Sequence, residues 1–198
     1  MQYFTARTQL EDAALRTQAV SALQQMAASA PSSDIRVAAA SALAEAYFRD
    51  SKFEESLAAT LKGIESAPDD AGLNNNAACY LSDNLNRPQE ALRYAEHAAK
   101  FAPNDHRVFD TLASVYWKLG DKPKAIQAMN VALRIAPAEA DKAAWSMKLT
   151  RWYLESGNKV GAGVMINSLR EMINDNPRLA QEIRSDFERL AREVNQAP

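Results

Sequence analysis

The chain is poor in several features that define common protein classes. A single cysteine, Cys79, stands among its 198 residues. That excludes an internal disulfide framework and fits a reducing compartment. Glycine (6) and proline (8) are scarce, which argues against a loop-rich or disordered chain. Neither sign of charge prevails: 23 basic and 25 acidic residues, well mixed, give a net charge of -2. Nucleic-acid binders usually carry a clustered basic stripe, and none is visible. No apolar run reaches the roughly 18 residues of a membrane-spanning helix. The opening stretch MQYFTARTQLEDAALR lacks the basic-then-apolar order of a secretory signal. The expectation is a soluble protein, cytoplasmic by default, or periplasmic if the chain is a fragment whose signal was lost.

Reactive groups are equally sparse. The two histidines, His97 and His106, are expected on exposed helix surfaces, with no nucleophile and orienting acid beside them. Cys79 reads as a small helix-packing residue. No His or Cys pair has the spacing of a zinc site. Gly161-Ala162-Gly163 lies inside a helical pattern and lacks the lysine and flanking strand of a phosphate loop. Asp69-Asp70 suits the cap of a following helix. The expectation is a non-enzymatic chain with no cofactor and no metal.

What the chain does contain is repetition. Three alanine-rich helical runs close on Ala-Pro: LKGIESAPDD, EHAAKFAPND and NVALRIAPAE, with Pro68, Pro103 and Pro137 spaced 35 and 34 residues apart. A fixed period of this size marks a structural unit copied and stacked, because one unit cannot bury its apolar face alone. The clearest copy runs from His106 to Glu139. Phe109, Leu112, Ala113 and Tyr116 fall on one face of a first helix. Gly120-Asp121 breaks it. Ala125, Met129, Ala132 and Leu133 fall on one face of a second helix, which Pro137 ends.

These residues resemble the tetratricopeptide repeat (TPR) family, and the wording resembles a bacterial multi-repeat type. Counting from His106, Phe109, Leu112, Ala113, Tyr116, Ala125, Ala132 and Pro137 meet the fourth, seventh, eighth, eleventh, twentieth, twenty-seventh and thirty-second places of the pattern, Ala113 being the small eighth residue. The implied fold is all-α: a right-handed superhelical solenoid of antiparallel helix pairs with terminal capping helices. It is expected to be one domain over 1–198. Residues 1–36 form an N-terminal half-unit or cap, with one helix over about 9–29. Repeats follow at 37–70, 71–105 and 106–139, then a degenerate one at 140–176 and a capping helix at 177–198. The second copy is one residue long, and the surplus is expected in the turn Asn84–Pro88. A register shifted by one residue stays open for its first helix.

The resemblance also implies that the first helices line a concave groove for a partner. Its places fall on Glu45, Phe48 and Arg49 in the first copy. In the second they fall on Asn75, Asn76, Cys79 and Asp83. In the third they are Arg107, Asp110, Ser114, Trp117 and Lys118, and in the fourth Met147, Lys148, Arg151 and Leu154. The expected surface has asparagines at its middle and a basic end near Trp117, a candidate aromatic anchor. The family's chaperone-tail clamp would use Ser41, Glu45, Asn76, Arg107 and Thr111. Only Asn76 and Arg107 suit it, and Glu45 opposes a carboxylate. Glu45, Asp83 and Asp110 oppose RNA phosphate. The reading is a module binding a protein or peptide partner, without nucleic acid or membrane insertion. The alternative is a self-associating segment, a homo-oligomer or part of a larger bacterial envelope or polysaccharide-export assembly.

Overall fold

The structure is a computed structural model that describes residues 1–12 and 14–196. Among these residues no strand occurs, and eleven α-helices follow one another. They are α1 Gln2–Gln9, α2 Arg16–Ser29, α3 Ser33–Arg49, α4 Phe53–Ser66, α5 Ala71–Cys79, α6 Pro88–Phe101, α7 His106–Lys118, α8 Lys122–Ile135, α9 Glu139–Glu155, α10 Lys159–Asp175 and α11 Pro177–Gln196. A π-helix, Tyr80–Asn84, continues α5.

The helix pairs are joined by one recurrent device. In each copy one residue after the first helix has positive φ: Ser51 at 58°, Asn86 at 52°, Gly120 at 81° and Gly157 at 71°. In three copies the next residue then donates its N–H to the carbonyl five residues before it. Lys52 donates to Tyr47 at 2.9 Å, Asp121 to Tyr116 at 3.0 Å and Asn158 to Tyr153 at 2.8 Å. This left-handed closure satisfies carbonyls that a helix end would leave bare. In the second copy Arg87 donates to Leu81, six residues back, at 2.7 Å. The surplus residue thus lies between Leu81 and Arg87. It is absorbed from within the helix, where Leu85 donates to Tyr80 over a π-type span, and not only in the expected turn. Ala77, Ala78 and Leu81 are all buried, as the unshifted register expects.

Side-chain caps start several helices. Asp70 accepts from the Leu73 N–H at 2.8 Å, Asn158 from Gly161 at 2.8 Å and Asn176 from Leu179 at 3.1 Å. The expected single helix over about 9–29 is corrected: α1 and α2 are separate, and position 13 lies outside the described residues. Asp12 turns the chain by accepting from the Ala14 N–H at 2.9 Å, and Arg16 reaches back to the Leu10 carbonyl at 2.9 Å. An aspartate that bonds its own backbone competes with helix. The capping helix at the C-terminal end is present as α11. Positions 197 and 198 of that expectation lie outside the described residues.

The described chain forms two compact units. Unit 1 holds Met1–Pro103 and Thr111–Ala125, and unit 2 holds Asn104–Asp110 and, of the described residues, 126–196. In unit 1, α3 packs on α4, α5 on α6, and α4 bridges to α5. Its seams are closed by alanines: Ala39, Ala40, Ala77, Ala91 and Ala98 have no solvent exposure. Gly63 marks the closest approach. A Cβ there would lie 3.0 Å from Leu73 Cδ1 and 3.2 Å from Ala40 Cβ. In unit 2, α9, α10 and α11 enclose Met147, Ile166, Leu169, Leu179, Leu190 and Val194. The apolar stripe of α11 covers that core and its charged side meets water.

Candidate interaction face

The first helices of the pairs carry the residues singled out above. In unit 1, α3 leaves Glu45 and Arg49 in solvent and Phe48 43 % exposed. Phe48 is held from two sides. Its ring stacks on Tyr80 with centroids 5.3 Å apart and meets the edge of Phe53 at 5.6 Å. Arg49 Nη1 is 2.5 Å from Glu11 Oε1, a bond that raises its guanidinium pKa further. On α5, Asn76 is exposed and Asn75 half-buried. Asn75 Nδ2 lies 4.0 Å from Cys79 Sγ, and its Oδ1 is buried without a hydrogen-bond partner. Cys79 Sγ lies 3.3 Å from Thr111 Oγ1 of α7. Asp83 is exposed and accepts from Lys118 Nζ at 2.7 Å, which also donates to the Ser82 carbonyl at 2.7 Å. Ser114 and Trp117 are half-buried, with Lys122 Nζ 5.2 Å above the Trp117 ring.

In unit 2, Arg107 is bound to Asp105 at 2.7 Å, which holds the Asp105 carboxyl below the usual range. Lys148 Nζ donates to Asp110 Oδ1 at 2.6 Å and lies 5.4 Å over Trp152. Arg151 is exposed, Leu154 half-buried, and Met147 only 9 % exposed, so Met147 serves packing.

The expected basic end is therefore corrected. Arg49, Arg107, Lys118 and Lys148 each face a carboxylate of their own unit. Three of these pairs join residues about one repeat apart: Asp83 with Lys118 (35), Asp110 with Lys148 (38) and Glu11 with Arg49 (38). Solvent-facing pairs of this kind contribute about 0–1 kcal/mol each. Their larger effect is to cancel charge on the face. The recurrence of acid and base one period apart was visible in the sequence, but pairing depends on side-chain direction. Tyr80 and Phe53, which fix Phe48, carried no sequence signal of that role.

The histidines are also corrected: neither is fully exposed. His97 Nε2 lies 3.1 Å from Asp69 Oδ1. His106 packs its ring on Trp145 at 5.3 Å, with Nδ1 buried and unpartnered. Among the described residues no three His, Cys, Asp or Glu side chains gather as metal ligands would. No described helix is long and apolar enough to cross a membrane.

The family model of ChAPs (Chs5p-Arf1p-binding proteins) matches residues 8–150. The chain belongs to this family. No curated protein matches the ChAPs chain by sequence. Among solved structures it is similar to MamA (41-end) from Desulfovibrio magneticus RS-1, with 15 % identity over 88 % of this chain and 94 % of that one, TM-score 0.71. It is similar to BtubC from P. vanneervenii, with 17 % identity over 86 % and 77 %, TM-score 0.71. It is also similar to YrrB, described as a TPR protein with an unusual peptide-binding site, with 18 % identity over 92 % and 90 %, TM-score 0.67. These likenesses establish the fold of the ChAPs chain as a TPR-like helical solenoid.

Proposed function

We propose that the chain is a non-enzymatic protein-interaction module whose first helices bind a partner peptide or helix. The working units are the repeats 37–70, 71–105, 106–139 and the degenerate 140–176. In unit 1 the contacts come from Glu45, Phe48, Arg49, Asn75, Asn76, Asp83, Ser114, Trp117 and Lys118. In unit 2 they come from Arg107, Asp110, Lys148 and Arg151. The observation that carries this reading is Phe48, an aromatic ring left 43 % exposed yet fixed between Tyr80 and Phe53. A rigid, open aromatic loses little freedom on binding and dominates interface energetics. The family description names proteins as what its members bind, and the YrrB description names a peptide-binding site. Both support protein binding over catalysis. A photo-crosslinking residue at position 48 should capture the same partner from lysate as one at 117, and one at Glu65 on α4 should not. Equal capture from all three positions would remove the reading.

A second reading, self-association, is favoured by the N-terminal end of unit 1. There α1, α2 and Ile35 line a cavity of about 930 Å³ among Met1, Tyr3, Ala6, Met26 and Pro31. Met1, Phe4 and Ile35 are exposed. Light scattering over a concentration range should show a dimer that Phe4→Asp together with Ile35→Asp disperses. A strict monomer at every concentration rejects it.

A further inference from the structure

We propose that the first-helix face of unit 1 selects a cationic partner segment, one that brings a lysine or arginine side chain to Glu45 beside Phe48. This deepens the binding reading above and rests on it.

The charges of the face point this way. Its cations are occupied from within: Arg49 by Glu11, and Lys118 by Asp83 and the Ser82 carbonyl. Glu45 is exposed and has no ion pair among the described residues. Arg49, one turn further along α3, feels its charge, but that guanidinium is bonded to Glu11. Around Phe48 the charge left over is therefore negative, whereas the ammonium of Lys122 lies farther off, over Trp117. A partner carboxylate would meet Glu45 and be repelled, whereas an ammonium or guanidinium would be drawn in.

The vacant polar capacity has the same sense. Asn75 Oδ1 has no donor, and its Nδ2 makes only the 4.0 Å contact to Cys79 Sγ. Turning this amide outward breaks no strong hydrogen bond and gives its oxygen a ligand N–H. Glu45 and Asn75 both lack a donor, and lysine and arginine side chains carry donors only. Phe48, three residues after Glu45, supplies the third element. Its exposed ring offers a surface for the aliphatic stem of such a side chain, or for its charge over the ring. Phe48 reaches the second copy through its stack on Tyr80, so Glu45 and Phe48 of α3 lie beside the copy that carries Asn75.

The test is selection of displayed random peptides on the full chain, followed by binding of the synthesised winners to variants of unchanged helical circular dichroism. Winners should be enriched in Lys and Arg over the starting library. Glu45→Lys should weaken them about tenfold or more, and Glu45→Gln by a smaller factor. Winners that are acidic or neutral, that lose binding with Phe48→Ala or Trp117→Ala and ignore Glu45→Lys, overturn the cationic selection and leave the binding face standing. Winners indifferent to all of these substitutions, or no winners above an empty support, overturn both.

Discussion

Ser51 and Asn86 hold the left-handed backbone that Gly120 and Gly157 hold in the later copies. A side chain in that region costs about 1–2 kcal/mol, somewhat less for asparagine, and glycine escapes the cost. Ser51→Gly should therefore raise the unfolding free energy by up to about 1 kcal/mol, read from urea midpoints. No change would mean the neighbouring chain relaxes the strain. The two glycines were legible as breaks because residue type and backbone agree there. Serine and asparagine at the same place concealed it. Tyr116 shows a second residue-level effect. Its hydroxyl donates to Glu96 Oε1 at 2.7 Å, and burial with that carboxylate pushes its pKa up to about 12. The unfolded tyrosine ionises near 10. Between those values the unfolded chain binds fewer protons than the folded one, so the contribution is complete below pH about 10 and disappears as pH rises toward 12. Burial raises the pKa of Tyr80 as well, so ultraviolet titration should show more than one tyrosine ionising late, and Tyr116→Phe should remove one of them.

Among the elements, α10 contains two glycines with opposite surroundings. A Cβ at Gly161 would lie 2.8 Å from the Tyr153 ring, and one at Gly163 would meet nothing within 4 Å. Gly163→Ala should stabilise by about 0.5–1 kcal/mol through helix propensity. Gly161→Ala should destabilise by about 1–3 kcal/mol unless the ring swings away. Thermal unfolding of the two variants side by side decides it, and shifts of equal sign would contradict the close contact. Element existence was legible wherever apolar spacing, proline and glycine coincided, as in α7, α8 and α11. The break between α1 and α2 was not. Nothing in Leu10-Glu11-Asp12 reads as a breaker until the Asp12 side chain is seen bonding its own backbone. The π-helix escaped for a related reason. A single surplus residue announces that the period is uneven, and hydrogen bonding alone determines where it goes.

At the scale of the molecule, stability comes from the alanine seams and leucine cores and not from the ion pairs, which face solvent. Raising sodium chloride from about 0.05 to about 0.5 M shortens the screening length to a few ångströms, so each exposed pair loses most of its small contribution. The unfolding midpoint should move by only a few degrees, and a collapse of helical signal would show that the pairs hold the helices. The repeat fold was legible because the small residues at Ala113, Ala125 and Ala132 are what close packing requires, and all three have no exposure. The electrostatic character of the face was not legible. Composition counts charges, whereas the face depends on which of them are already engaged.

The hollow beside Met1 has a practical consequence. Its rim includes the first residue of the chain, and that residue lies fully in solvent. A purification handle fused at this end would hang over the opening and shield it, so a fusion of that design would block any contact made there. Handles for such experiments belong at the other end.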